Sequence, residues 1–220
     1  PSVYSTFERS LDVQLNPVWL WTGSLLRPVA SRMKLVGDQL FLRLIDAIQV
    51  HRVNSATDWT LEASFAAPAV SLAFDPLGCF DIDGQTILDA RAGIVRVYRR
   101  GAQGWLLETT LPDRAPISAS FAWGASVSVR GDRAAVGANW EPAGSLTGYV
   151  RVFHRDAAGQ WTLEADLEHP SLSTSITGFG ISVHLTDDRL FVGAHRDHAS
   201  GPSSGAVHVF QRTGTAWSIL

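Results

Sequence analysis

Cysteine is almost absent from this chain, and its scarcity excludes two classes of site. Cys79 is the only cysteine among 220 residues, so the chain can form no internal disulfide. A zinc site built from several thiolates is excluded for the same reason. Long apolar runs are missing too, because no stretch approaches the roughly 18 consecutive apolar residues of a transmembrane helix. The sequence therefore predicts no membrane-spanning helix.

An excess of either charge is also missing. Lys and Arg together number 18 and Asp and Glu number 21, which gives a net charge of −3 at pH 7. Such a balance carries no electrostatic signature of nucleic-acid or anionic-membrane binding. Apolar residues make up 45% of the chain, so it can bury a core and fold as a globular protein.

What the chain does have is alternation of apolar and other residues, most clearly over residues 179–220. Apolar side chains recur there at every second position in four short runs, as they do in β-strands. The pair Asp187-Asp188 separates the first two runs and has the chemistry of a hairpin turn. We therefore predict a four-stranded antiparallel meander of about forty residues.

This meander is repeated along the chain. A tryptophan opens the last strand of each unit, and these residues are Trp59, Trp105, Trp161 and Trp217. A strand that ends in basic residues precedes each of them, and a hairpin with Gly or Asp at its turn opens each unit. The predicted units are 29–68, 69–115, 116–171 and 172–220. A partial unit, 1–28, comes before them, with its two strands expected near 11–13 and at Trp21.

A repeated four-stranded meander of about 45–55 residues is typical of a β-propeller blade. We therefore predict an all-β fold in which residues 1–220 are a single β-propeller domain or fragment, with four blades and part of a fifth. A blade buries its faces only against neighbours, so we expect the tryptophans to pack blades together. We also expect missing sequence to supply the rest of a larger ring, because the chain does not begin with Met. A complete five-bladed ring is the alternative.

Two short motifs resemble a known family. Phe179-Gly180 opens the last unit and Val192-Gly193-Ala194 ends its second strand, which resembles the FG-GAP repeat of integrin α-chain-type propellers, in particular its bacterial type. The third unit is similar, and the motifs fade toward the N-terminus. The resemblance implies a seven-bladed ring. It also implies a secreted or cell-surface protein that serves as an adhesion or binding module for protein or carbohydrate ligands.

Two long polar loops are the candidate binding surface. Both connect strands two and three of their units, and insertions at one loop position map to one face of such an assembly. The candidate ligand-binding residues are Asn139, Trp140, Glu141, His195, Arg196, Asp197 and His198. An exposed tryptophan beside polar groups suits stacking on a sugar ring or a protein surface. The alternatives are that Trp140 folds back onto the blade edge and that the second loop is only solvated.

Metal ligands are sparse in the sequence. His195, His198 and Asp197 could coordinate an ion, although three adjacent ligands on a loop are more typical of a solvated loop. Integrin-type blades often bind Ca²⁺ in the first hairpin of a blade, and Asp81, Asp83 and Asp89 are the weak candidates for such a site here. The loop at Gly84 is too short to wrap an ion that needs six or more oxygens. We therefore predict no cofactor, with calcium as the lesser alternative.

Catalytic motifs are absent from the sequence. It has no Gly-x-Ser-x-Gly elbow, no His-Glu-x-x-His and no phosphate-binding loop. The remaining histidines, such as His154, His184 and His208, fall on strand positions expected to face outward or at strand ends. We predict a non-enzymatic module, with a hydrolase or lyase whose site lies on the central face of the propeller as the alternative.

Overall fold

The computed structural model describes most of the chain. The described residues are 3–11, 17–26, 32–44, 47–55, 58–66, 79–91, 93–114, 122–139, 148–170, 176–198 and 200–220. They form strands and connecting turns, and within these ranges no helix is present that could cross a bilayer. The chain divides into two compact units, Pro1–Ala69 and Val70–Leu220.

The first unit contains two sheets. Its first sheet pairs β1 (Val3–Leu11) with β2 (Pro17–Leu26) in antiparallel register. The first of these strands ends where the sequence predicted it to begin, so the pair lies earlier in the chain than expected. The second sheet, blade 1, contains β3 (Arg32–Val36), β4 (Gln39–Arg43), β5 (Ala47–Val53) and β6 (Trp59–Ala66).

The second unit contains three more four-stranded sheets. Blade 2 consists of β7 (Cys79–Asp83), β8 (Thr86–Arg91), β9 (Ile94–Gly101) and β10 (Gly104–Leu111). Blade 3 consists of β11 (Trp123–Arg130), β12 (Arg133–Ala138), β13 (Tyr149–Arg155) and β14 (Trp161–Glu168). Blade 4 consists of β15 (Phe179–Leu185), β16 (Arg189–Ala194), β17 (Ala206–Thr213) and β18 (Ala216–Ile219). In every blade each strand pairs antiparallel with the next, which confirms the predicted meander.

Blade 3 buries apolar residues on both of its faces. One face, with Val136 and Phe153, packs on Val95 and Val97 of blade 2. The other face packs on blade 4 through the side chains Ala135, Val150 and Val152, which join Phe179, Leu190 and Val192 in a second core. Because alternate residues of a strand point to opposite faces, both sets of positions in one strand become buried. The core of the second unit therefore lies between its blades.

The motif glycines let neighbouring blades approach each other closely. A Cβ atom on Gly137 would lie 2.1 Å from the carbonyl oxygen of Gly180, and one on Gly148 would lie 1.9 Å from the carbonyl oxygen of Phe179. Any larger residue at these two positions of blade 3 would collide with the backbone that opens blade 4. The Phe-Gly motif of one blade thus packs on the Gly-Ala motif of the blade before it.

Two of the repeated tryptophans also join neighbouring blades. Trp161 of blade 3 donates its indole N–H to Glu108 of blade 2 at 2.8 Å, and Trp217 of blade 4 donates in the same way to Glu164 of blade 3 at 2.8 Å. Both glutamates lie at irregularities where β10 and β14 shift register against the preceding strands. These two tryptophans have the blade-packing role that the repeat predicted.

Candidate functional site

The loop that connects β16 to β17 lies at one end of blade 4. It follows Ala194 and precedes Ala206; Ala194 pairs with Phe179, the first residue of β15, on one side and with Ala206 on the other. Arg196 donates its backbone N–H to the carbonyl oxygen of Thr177 at 2.9 Å. The loop therefore shares this end of the blade with the chain segment that enters β15.

Backbone hydrogen bonds give this loop a defined structure. Asp197 donates its N–H to Ala194 at 3.1 Å and accepts at its carbonyl oxygen the N–H of Gly205 at 3.0 Å. Ser203 donates its N–H to Nδ1 of the His198 ring at 3.0 Å. Because the backbone of the loop is held across its width, its side chains are presented from a fixed support.

The four predicted residues of this loop divide into two groups. His195, Arg196 and His198 are exposed, whereas Asp197 is buried with 3% of its surface accessible. The exposed three form a surface that can meet a ligand. The buried carboxylate belongs to a different site inside the junction of blades 3 and 4, so the loop does not act as one cluster.

Inside the junction, Asp197 contacts two histidines that the sequence reasoning did not connect to it. Its Oδ2 lies 2.6 Å from Nε2 of His169 and 2.9 Å from Nε2 of His208. The side chains of His169 and Asp197 are each 4% exposed, and that of His208 is 15% exposed. His169 directly follows β14, and His208 lies near the start of β17. We call these three residues the His–Asp–His cluster.

Phe179 forms the base of the cluster. Its ring centroid lies 5.7 Å from that of His169 in an edge contact and 5.6 Å from that of His208 in a tilted one. The two imidazoles lie 4.7 Å apart at an interplanar angle of 79°. Since Phe179 is fully buried, the aromatic residue of the Phe-Gly motif shields one side of the cluster from water.

The structure does not bring His195, Asp197 and His198 together as the metal set that was the lesser alternative to a solvated loop; Asp197 meets two other histidines instead. Asp197 contacts imidazoles that lie 28 and 11 residues away in the chain. Strand pairing within blade 4 brings the start of β17 to this loop, and the packing of blade 3 on blade 4 brings the end of β14 to it.

His208, expected at an outward-facing strand position or a strand end, lies near the start of β17 with 15% of its side chain exposed. It shares the blade 3 side of β17 with Phe210, whereas the alternate residue Val207 is 65% exposed.

The other candidate residues lie apart from this cluster. Asn139 is half-buried at the end of the described part of its loop, and Trp140 and Glu141 lie outside the described residues. Asp81 accepts the backbone N–H of Val129 at 2.8 Å, and Asp83 accepts that of Gly131 at 2.7 Å. These two aspartates thus connect β7 of blade 2 to β11 of blade 3.

Asp89, the third calcium candidate, is fully buried in β8, opposite Arg96 of β9. Across the ranges that the structure describes, the His–Asp–His cluster is the one group of three or more such side chains with its ligand atoms close enough to share an ion.

Residues 161–210 match the family model of the FG-GAP repeat. The chain contains an FG-GAP repeat. This repeat runs from the start of β14 in blade 3 to Phe210 in β17 of blade 4, and it includes His169, Asp197 and His208. A comparison with curated proteins found no match.

Solved structures with low sequence identity share the fold of this chain. One similar chain comes from a complex of a S. cerevisiae Dbp5 variant bound to Nup159, a Gle1 variant, IP6 and ADP, with 10% identity, a TM-score of 0.53 and 90% of this chain covered. Another is the N-terminal domain of Nup159, with 10% identity, a TM-score of 0.52 and 92% covered. The alignments cover 49% and 50% of those chains, so this chain spans about half their length. At this identity the likeness is one of fold, and the predicted β-propeller fold is confirmed.

Proposed function

We propose that this FG-GAP propeller is a non-catalytic binding module that contacts its ligand through the loop between β16 and β17. The observation that carries this proposal is the exposure of His195, Arg196 and His198 on a loop whose backbone is held in place. A ligand that meets such a loop does not have to order it first, which lowers the cost of binding.

The chemistry of the loop indicates the class of ligand. Arg196 has a permanent positive charge and five N–H donors, and its planar group pairs well with carboxylates and phosphates. The neighbouring imidazoles of His195 and His198 add donors and acceptors. We therefore propose acidic groups on a protein or a carbohydrate as the contacted features.

A protein ligand is the first class to test. The similar yeast structure is a complex in which Dbp5 is bound to Nup159 and Gle1, and the FG-GAP likeness also implies proteins or carbohydrates as ligands. We further propose that the module works on a secreted or cell-surface protein. The hydrolase or lyase alternative stays a prediction.

The test uses the 220-residue chain against a glycan array and a panel of purified extracellular proteins. We expect at least one saturable interaction that weakens about tenfold or more when His195→Ala and Arg196→Ala are combined, because the exposed charge is lost. The matched control combines Thr213→Ala and Thr215→Ala, two exposed changes at the hairpin of β17 and β18. Equal binding by the two double variants would overturn the choice of loop, and absence of any saturable interaction would overturn the binding role.

A further inference from the structure

We infer that the His–Asp–His cluster is a binding site for one divalent transition-metal ion of the zinc class. Two imidazole nitrogens and one carboxylate oxygen are a donor set that zinc accepts readily. Calcium prefers six or more oxygen ligands, so this donor set does not suit it. Metal binding here does not depend on whether the neighbouring loop also binds a protein or a carbohydrate.

The distances fit such an ion after a small adjustment. The ligand atoms of His169, Asp197 and His208 all lie within 4.8 Å of one another. A tetrahedral zinc ion with bonds of about 2.0–2.1 Å holds its ligand atoms about 3.4 Å apart. The two nitrogens lie 2.6 Å and 2.9 Å from the carboxylate oxygen. The imidazoles therefore have to move away from the carboxylate oxygen by less than about 1 Å, and their two nitrogens, at most 4.8 Å apart, have to settle about 3.4 Å from each other to admit the ion.

Burial favours a cation at this place. Asp197 has 4% of its side chain exposed, so its negative charge is held away from water. A buried carboxylate is costly unless other charges or donors compensate it. An ion bound by Nε2 of both rings, with the proton of each neutral ring on Nδ1, would supply two positive charges at the point where both rings face the carboxylate. The 15% exposure of His208 leaves one side from which an ion can enter.

Comparison of equivalent positions shows that the two junctions of the second unit carry different residues. When the blades are aligned on Trp105 and Trp161, Asp113 occupies the place of His169. Aligned on the strand before the tryptophan, Arg151 occupies the place of His208 and Tyr149 that of Ala206.

At the earlier junction the equivalent residues make different contacts. The hydroxyl of Tyr149 donates to Asp113, and Arg151 donates to the carbonyl oxygen of Pro112 at 2.8 Å. The later junction has a small residue, Ala206, in the place of the tyrosine, together with two metal-ligating side chains. Three coordinated differences from the repeat indicate a dedicated site.

A metal ion here would connect three parts of the chain. His169 lies on the exit from blade 3, His208 on β17, and Asp197 on the loop that also presents His195 and Arg196. The ion would therefore fix the loop to both blades. Three protein ligands leave one position of a tetrahedron for water.

The test is a titration of the metal-stripped chain with Co²⁺ and Zn²⁺. We expect one Co²⁺ ion per chain with the visible absorption of a tetrahedral site. Zn²⁺ should displace this ion, whereas a roughly hundredfold excess of Ca²⁺ should not, because the donor set suits zinc-class ions and not calcium. Each of His169→Gln, His208→Gln and Asp197→Asn should weaken binding by about tenfold or more, because one of three ligands is lost.

The control combines His195→Gln with His198→Gln, which removes the exposed imidazoles of the same loop and should leave the affinity unchanged. If only this control loses the metal, the site is the exposed loop and the inference is wrong. If the original chain shows no tetrahedral Co²⁺ spectrum, the cluster is a hydrogen-bonded structural triad only and the inference is overturned. This outcome does not depend on whether the variants fold.

Discussion

The junction between blades 2 and 3 and the junction between blades 3 and 4 solve the same packing problem with different chemistry. At the first, Trp123 stacks on Tyr149 with ring centroids 6.1 Å apart, and the Arg114 guanidinium lies 4.2 Å from the centre of the tyrosine ring. At the second, Phe179 packs against two imidazoles that face one buried carboxylate. The two junctions keep an aromatic residue at the same repeat position, Trp123 in one and Phe179 in the other. The polar residues beside it differ, and only those at the second junction form the set that we infer to bind a metal.

The largest expected effect comes from removing the aromatic base of the first junction. Trp123→Ala should lower the free energy of unfolding by about 3–5 kcal/mol, because a large buried side chain leaves a cavity. Chemical denaturation of the full chain measures this loss. Leu106→Ala, at a residue that is 58% exposed in β10, is the control and should change stability by about 0.5 kcal/mol or less. Similar losses of unfolding free energy in both variants would show that Trp123 does not stabilise the junction between blades 2 and 3.

The glycines of blades 3 and 4 allow a second test of the junctions. Gly137→Ala should cost about 3 kcal/mol, because its Cβ would lie 2.1 Å from the backbone oxygen of Gly180. Gly193 holds the equivalent position in blade 4, and its nearest obstacle is the flexible side chain of Ser182 at 2.2 Å. Gly193→Ala should therefore cost about 1 kcal/mol or less. Equal losses in chemical denaturation would contradict the close approach of the two backbones.

The repeated glutamates should differ because their burial differs. Glu164 has 4% of its side chain exposed and pairs with Arg133, whereas Glu108 has 19% exposed and pairs with Arg155. Glu164→Gln should lower the free energy of unfolding by about 2–3 kcal/mol, because the charge-assisted hydrogen bond between Glu164 and the half-buried Arg133 is lost. Glu108→Gln should cost less. The reverse order in denaturation would show that burial does not decide their contribution.

The Glu108 pair also gives a pH dependence. Burial raises the pKa of Glu108, but hydrogen bonds from Arg155 and Trp161 outweigh this and hold the pKa below its ordinary value of 4.5. A carboxylate with a lowered pKa stabilises the folded state above its ordinary pKa, and this contribution is lost as pH falls through the folded-state pKa. The stability difference between the original chain and Glu108→Gln should therefore be largest near neutral pH. A difference that stays constant down to pH ~3 would contradict the pairing.

The smallest expected effect lies at the rim of the second junction. Arg130 donates to Asp187 at 2.7 Å, but the two side chains are 50% and 79% exposed. Arg130→Ala should leave the melting temperature unchanged within error, because exposed ion pairs are screened by water. It should raise the pKa of Asp187 toward its ordinary value, since the hydrogen bond from Arg130 lowers that pKa. An unchanged Asp187 titration by NMR would show that the pair does not form in solution.

The fold could be predicted from the sequence because the signals for each blade are local. The alternation of apolar and other residues predicts β15 and β16, and Asp187-Asp188 predicts the hairpin turn between them. In the structure Leu185 pairs with Leu190 across this turn. The repeated tryptophans and motif glycines then indicate how blades stack. Strand boundaries near the N-terminus were less predictable, since β1 (Val3–Leu11) lies before the short apolar pattern at 11–13.

The candidate site was only partly predictable. The sequence predicts Asp197 as a site residue, but it offers only the loop neighbours His195 and His198 as partners for the carboxylate, and these two face solvent. Partners that lie in another strand and on another blade carry no local pattern, and only strand pairing together with blade packing brings them to Asp197. The available signal was the replacement of Asp113 by His169 and of Arg151 by His208 at equivalent repeat positions.

The contrast between the two junctions is tested most directly by thermal melting of the metal-stripped chain with and without excess Zn²⁺. The measurement compares the original chain, Asp197→Asn at the second junction and Tyr149→Phe at the first. We predict that Zn²⁺ raises the melting temperature of the original chain and of Tyr149→Phe, because an ion that binds only the folded state stabilises it. It should not raise that of Asp197→Asn. An equal shift in all three proteins, or no shift in any, would contradict a metal site at the junction of blades 3 and 4.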